Sequence, residues 1–459
     1  MNQWCCRKGW ITIVGMVSLL ALCAHRGIAQ DTVASGTLGF VGDGKCGNPK
    51  CHGAGLPNTP DAKKSWKPWT SARTQWLNRN IDHHSRAYHT LENAASKVIG
   101  SYMGIQPTTS EKCLRCHAPE AHNAAVSTHQ KSDGVTCEHC HGAAEKWLRP
   151  HVERDWSDKQ AQFTELGFYD NVDFRLRAQK CASCHVEIDH EIIAGGHSPL
   201  QFEMVAYAQV MKHWDDQRRR ARSPDSVEPT LWALGQVEGL RRVAEMIEHR
   251  AGNSNYQGLG KFGHFEGKEC YQCHHKLVED AVRQGQGHFA MVDTVMAVVF
   301  PERRDELVAL WNQVTSASTA EQATQTAQRL NAWLAPYEGA VMQRGVDREA
   351  TRKILNRITA SGDKVKAIRR FSYSQTGNAN VMHIDGVGLP WWYTTGAPEQ
   401  TILAIESLCT PAFPEKCGAG SAGIQDELHK LLAAVDRFDY RPDQFAQQLG
   451  ALNKKLFPK

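Results

Sequence analysis

Four times in this chain two cysteines flank a pair of residues and a histidine follows at once: Cys113-Leu-Arg-Cys116-His117, Cys137-Glu-His-Cys140-His141, Cys181-Ala-Ser-Cys184-His185 and Cys270-Tyr-Gln-Cys273-His274. A looser relative, CGNPKCH, runs from Cys46 to Cys51 and His52 with four intervening residues. Two thiols at this spacing can add to the two vinyl groups of one haem, and the next imidazole then lies under the ring as ligand to iron. Paired CxxC elements also build tetrathiolate zinc sites, but zinc has no use for a histidine after every pair. Histidine is about one residue in twenty here, so five such placements by chance are on the order of one in a few million. The spacing predicts five haem c groups, with the ten cysteines as attachment points and His52, His117, His141, His185 and His274 as proximal ligands. At the first motif the longer loop must bulge to bring both sulfurs to the vinyls.

A proximal histidine leaves the opposite face of the iron open. A second histidine or a methionine there makes a low-spin electron carrier, whereas an open face can bind and activate a small molecule. Of the 22 histidines, His25 falls in the leader described below and five are proximal. Sixteen remain, enough for bis-histidine ligation throughout.

The elements that position these residues read as helices and irregular loops. The chain has 459 residues, 22% of them charged, a mean hydropathy of -0.48 and a net charge of only +4. That balance argues for no nucleic-acid partner. Arg7 and Lys8, the apolar run Ile11 to Cys23 and the small residues around Ala29 read as a signal peptide over 1–29, cleaved near Ala29. No later stretch is long and apolar enough to span a membrane, so the expectation is an exported, periplasmic chain. Of 15 cysteines, Cys5, Cys6 and Cys23 leave with the leader and ten serve the motifs. Cys409 and Cys417 remain, and an oxidising compartment predicts a disulfide between them.

Residues 30–60 read as irregular backbone. An amphipathic helix pair is expected over SWKPWTSARTQWLNRNIDHHSRAYHTLENAASKVIG, which carries His83, His84 and His89. A helix is expected after Pro199, and a longer one from Glu228 to His249 with a buried stripe of Leu231, Leu234, Val237, Leu240, Val243 and Ile247. Beyond His288 the motifs stop. Helices are expected over 303–337, 348–361, 424–438 and 442–456, with a Gly-, Pro- and Trp-rich interruption at GVGLPWWYTTGAPEQ. The fold class is mainly α: a pentahaem domain over 30–300 wrapped around stacked haems, and a haem-free helical region over 301–459.

From Val41 to Trp214 the chain resembles the multihaem cytochrome c-554 family, also called cytochrome c-554 and c-prime. The marks are a first motif followed by a W...HSRAYHTL helix, a CxxCHA motif, GVTCEHCHG with a trailing WLRPH, and CASCH leading into AGGHSPLQFE. The resemblance implies a mostly helical periplasmic protein with closely stacked haems. Such a protein passes electrons between an enzyme of hydroxylamine or nitrogen-oxide metabolism and downstream carriers. By motif position it points to His84 in HSRAY, His197 in GGHSP and His151 in WLRPH as distal ligands, with His129 and His122 after them. His190 and His213 are placed beside haems or propionates, and His275 reads as structural. Family members typically carry four haems, so the fifth motif and the long C-terminal region depart from the pattern.

Two functions remain open at this point. An electron carrier needs only haems whose potentials are set by ligand, exposure and nearby charge, together with redox partner proteins. A redox enzyme acting on a nitrogen oxide or hydroxylamine needs one haem with an open axial position and a proton source beside it. The Cys46 and Cys270 haems are the candidates for such a site.

Overall fold

The computed structural model describes residues 38–56, 58–59, 68–78, 82–119, 130–186, 188, 192–193, 195–198, 200–210, 226–252, 286–317, 319–360, 397–418, 422–435 and 442–458. The leader, the fifth motif with Cys270, Cys273, His274 and His275, the histidines His122, His129, His190 and His213, and most of the GVGLPWWYTTGAPEQ stretch lie outside them. Every regular element among the described residues is helical, as a chain without period-two alternation requires.

The first half consists of short helices joined by turns: α1 (Asp43–Cys46), α2 (Ala72–Leu77), α3 (Ala87–Thr90), α4 (Ala94–Met103), α5 (Glu111–His117), α6 (Cys137–His141), α7 (Phe163–Leu166), α8 (Phe174–His185) and α9 (Met204–Val210). The helix pair expected between 65 and 100 is broken into smaller pieces. Asn78 is extended and ends α2, a 3-10 turn occupies His84–Arg86, and Asn93 starts α4 by accepting from the Ser96 amide at 2.8 Å. The helix expected after Pro199 begins only at Met204. Glu203 stands before it and accepts from the Val205 and Ala206 amides at 3.0 and 2.5 Å.

The second half is a bundle: α10 (Val227–Gly252), α11 (Gln286–Val299), α12 (Arg304–Ser316), α13 (Ala320–Arg344), α14 (Arg348–Ala360), α15 (Ala397–Ala412), α16 (Pro414–Cys417), α17 (Ala422–Ala434) and α18 (Pro442–Leu456). The expected stripe on α10 is buried, and so are Trp232, Ala233 and Gln236 on its other faces. A helix covered on nearly all sides is a central one. It packs most extensively on α13, and also on α8, α11 and α15. One apolar core runs without a break from Phe174 and Ala178 on α8 through α10 and α11 to Leu456. Cys409 and Cys417 form a disulfide that ties the end of α15 to α16.

Three polar contacts fasten this bundle to the motif-bearing half. Gln179 on α8 donates to Glu338 of α13 at 3.0 Å, and Glu338 also pairs with Arg241 of α10. Glu203 accepts from the Ser407 hydroxyl of α15 at 2.6 Å, while Gln400 donates to the Phe202 carbonyl at 2.8 Å. Burial pushes the Glu203 carboxyl up to about 7, against the opposing pull of the Ser407, Ala206 and Val205 donors. Its folded value lies above the unfolded one, so its contribution to stability is complete below about pH 4.5 and is lost as pH rises through about 7. The loss is on the order of 3 kcal/mol. Thermal unfolding midpoints are therefore expected to fall over this interval, and Glu203→Gln to flatten the slope. An unchanged slope in the variant would assign the pH dependence to another group.

Candidate haem-binding site

Three of the motifs end helices. In α5, α6 and α8 the two cysteines stand at i and i+3, on one face, and the proximal histidine is the last helical residue. The first motif solves its longer spacing with a turn. The Cys51 and Gly53 amides donate to the Asn48 carbonyl at 2.8 and 3.0 Å, and the His52 amide donates to the Cys46 carbonyl at 3.3 Å. This is the bulge that four intervening residues demand.

The GVTCEHCHG stretch is held at both ends by glycines that no other residue could replace without strain. Gly134 has φ +68, and a Cβ there would lie 2.6 Å from the His84 carbonyl oxygen. Gly142 has φ +82, and its Cβ would lie 2.0 Å from the Gly167 oxygen. Between them Glu138 is buried and accepts from the amides of Val41, Gly42 and Ala144 at 2.9, 2.8 and 2.7 Å. It thus pins the residues before the first motif to the third. His139 is structural as well. Its Nδ1 accepts from the Thr136 amide at 2.7 Å, and its Nε2–H donates to the Pro119 carbonyl at 3.0 Å. The sequence reading gave neither Glu138 nor His139 a role, since the Val41 and Gly42 amides and the Pro119 carbonyl among their partners are remote in sequence.

Three pairs of imidazoles face one another across the chain. Ring centres are 6.3 Å apart for His52 and His151, 6.4 Å for His117 and His197, and 6.0 Å for His185 and His84. An iron–nitrogen bond is about 2 Å and the nitrogen lies about 1.1 Å from its ring centre, so two imidazoles on one haem iron put their centres about 6 Å apart. The residues present therefore fit haem. Each pair joins a histidine that follows a cysteine pair to one from a remote segment. By contrast, no three of His, Cys, Asp and Glu converge as a zinc site requires among the described residues. The first pair is nearly coplanar at 15°, while the other two cross at 79° and 86°.

Local structure turns the outer nitrogen of each remote histidine toward an acceptor. His151 sits on a 3-10 turn opened by Pro150, its Nδ1–H donates to the Trp147 carbonyl at 3.3 Å, and the Trp147 ring covers it. His197 donates to the Ser198 carbonyl at 2.7 Å. His84 lies 2.8 Å from the Asp82 carboxylate. Burial would lower His84, but the hydrogen bond and charge of Asp82 raise it. Burial lowers His117, His151 and His185, the last to about 4, which keeps these rings in the neutral form that binds metal. Of the other histidines in the 82–90 segment, His83 is exposed and His89 pairs with Glu92 at 2.9 Å. His141 ends α6, with its Nδ1 3.5 Å from the Asn171 amide nitrogen and its ring near Phe168.

The thiols of different motifs adjoin one another. Cys46 lies beside Cys137 and Cys116 beside Cys184, while Cys140 and Cys181, both kept un-ionised by burial, stand near enough for their ionisations to influence one another. Motif neighbours in space are therefore first and third, third and fourth, and fourth and second.

Residues 49–142 match the family described as cytochrome c554 and c-prime. The matched span takes in Cys51, His52 and the second and third motifs, and ends before CASCH and AGGHSPLQFE. No curated protein and no solved structure matches the chain. Among the described residues no helix is long and apolar enough to cross a membrane.

Proposed function

Taking residues 49–142 as cytochrome c554 and c-prime in type, we propose that this protein is an exported multihaem c-type cytochrome. It carries electrons through five covalently bound haems between a periplasmic redox enzyme and other carriers. The observation that supports this most is the set of three imidazole pairs at 6.0 to 6.4 Å. His52 with His151, His117 with His197 and His185 with His84 would each hold one haem iron between two imidazoles. Cys270, Cys273 and His274 hold the fifth haem, and His129 stays the candidate for a further axial ligand. When bound, the haems supply one-electron ferric–ferrous chemistry.

The chain's own contribution is positioning. Helices α5, α6 and α8 present paired thiols and an imidazole, and the adjoining thiols put the attachment sites in the spatial order first, third, fourth, second. An electron then follows an order different from that of the sequence. The bundle of α10 to α18 clamps α8 and the 202–206 segment through Glu338 and Ser407, which keeps His185 in place and steadies the chain that follows His197. Paired imidazoles leave no axial position for substrate at these three sites, which favours a carrier over an enzyme. Ferric electron paramagnetic resonance of the holoprotein tests this. Low-spin signals from three histidine-paired haems are expected, and a spectrum dominated by high-spin iron would overturn it.

A further inference from the structure

The axial imidazoles differ in what grips their outer nitrogen. His117 Nδ1–H donates to the Ala87 carbonyl at 2.8 Å with the Thr90 hydroxyl at 2.9 Å, His197 donates to the Ser198 carbonyl, and His151 to that of Trp147. All of these partners are neutral. His84 alone among these four donates to a carboxylate, that of Asp82, which is 3% exposed. The same Asp82 oxygen accepts from the His84 amide at 2.9 Å, so the ring and its backbone are fixed by one atom. Asp82 is itself tied back through its own amide to the Asn78 carbonyl at 3.0 Å. The His84 carbonyl accepts from the Val135 amide at 3.0 Å, so both ends of the residue are held.

A carboxylate behind an axial histidine raises the basicity of the ligand and stabilises the more positive state of the metal. A buried one does so with little solvent screening. We propose that Asp82 is a positioning residue which, acting through His84, holds the haem attached at Cys181 and Cys184 at the lowest reduction potential of the three histidine-paired haems. This role rests on the haem ligation proposed above. One electron arrives from a neighbouring haem and ultimately from a redox partner protein. The Nδ1 proton stays on His84 in both oxidation states, so nothing else is gained or lost. By the thiol contacts this haem lies between the third and the second, inside the series and not at an end. Asp82 therefore places an energetic step within the path, so that electrons collect on either side of it.

The test is Asp82→Asn in the full holoprotein. The amide oxygen can still accept from both His84 donors, so the shape is kept and the charge removed. Spectropotentiometric titration should show one couple shifted upward by at least tenfold in its reduction equilibrium, about 59 mV for one electron. The haem count by mass and the low-spin signals should be unchanged. An unshifted set of couples with haem count and spin states intact overturns the role of Asp82 while leaving the ligation standing. Missing haems or absent low-spin signals in the unaltered protein would instead overturn the ligation. Should Asp82→Asn fail to mature, the couples of the unaltered protein compared with those of His84→Ala decide. The couple that leaves the low-spin set in His84→Ala must be the lowest of the three histidine-paired couples, and any higher rank overturns the role.

Discussion

Replacing His84, His151 or His197 by alanine, one at a time, is expected to turn one haem per molecule from low-spin to high-spin and to give it a carbon monoxide site. Each of these imidazoles stands opposite a motif histidine at the separation one iron requires. Removing it leaves five-coordinate iron behind an alanine too short to reach. The proximal histidine and both cysteines stay in place, so the haem stays attached and the mass changes only by the side chain. The three variants should differ in stability. His84→Ala takes the ring donor from the buried Asp82 carboxylate and leaves it the residue-84 amide, an added cost of about 1–3 kcal/mol for one hydrogen bond to a charged group. His151→Ala and His197→Ala remove a ring donor only from neutral carbonyl oxygens, those of Trp147 and Ser198. Spin state by electron paramagnetic resonance and carbon monoxide binding after reduction give the answer. A variant that keeps its full low-spin intensity would show that the replaced histidine is not a ligand.

Cys137→Ser combined with Cys140→Ser is expected to have the widest consequences of any change at a motif. The third motif adjoins the first through Cys46 and the fourth through Cys181. Losing the haem expected there would therefore remove one cofactor, about 0.6 kDa, and with it the link between the two sites on either side. The internal path is cut between the first site and the rest, so reduction by a donor that enters at one end should change from a single phase to two well-separated phases. The matching change at the second motif, Cys113→Ser with Cys116→Ser, removes a haem from the end of the described series and should leave the remaining phases as they were. Stopped-flow reduction of both variants separates these outcomes. Identical kinetics in the two would contradict the spatial order first, third, fourth, second.

Much of the site was legible because its signal is local. Two cysteines and a histidine within five residues must share one helical turn, and α5, α6 and α8 all end on the motif histidine. His84, His151 and His197 were pointed to by the family resemblance, through their places in HSRAY, WLRPH and GGHSP, and the fold sets each of them opposite a motif histidine. Their partners could not be picked, since His151 meets His52 across about a hundred residues and no periodicity encodes that. Glu138 and His139 escaped for the same reason, as the Val41 and Gly42 amides and the Pro119 carbonyl that they hold are brought close only by folding, whereas Asp82 is a local partner two residues from His84.

The fold was legible where the apolar period was long. α10 and α18 fall close to where the pattern puts them, and the stripe on α10 is buried. The segment from 65 to 100 misled because its apolar spacing fits helix, while Asn78, the His84 turn and Asn93 each divert the backbone. α11 had no readable stripe. Met291, Val292, Val295 and Met296 on α11 are all buried, so no polar face marks the period. The core that they join runs across residue 300, and composition alone could not reveal that continuity.

The most direct measurement is the mass of the intact holoprotein under denaturing conditions, which strips away everything not covalently bonded. Five haems, each adding about 0.6 kDa to the polypeptide, are predicted. A mass equal to the polypeptide alone, or to fewer than five haems, would contradict covalent attachment at all five cysteine pairs.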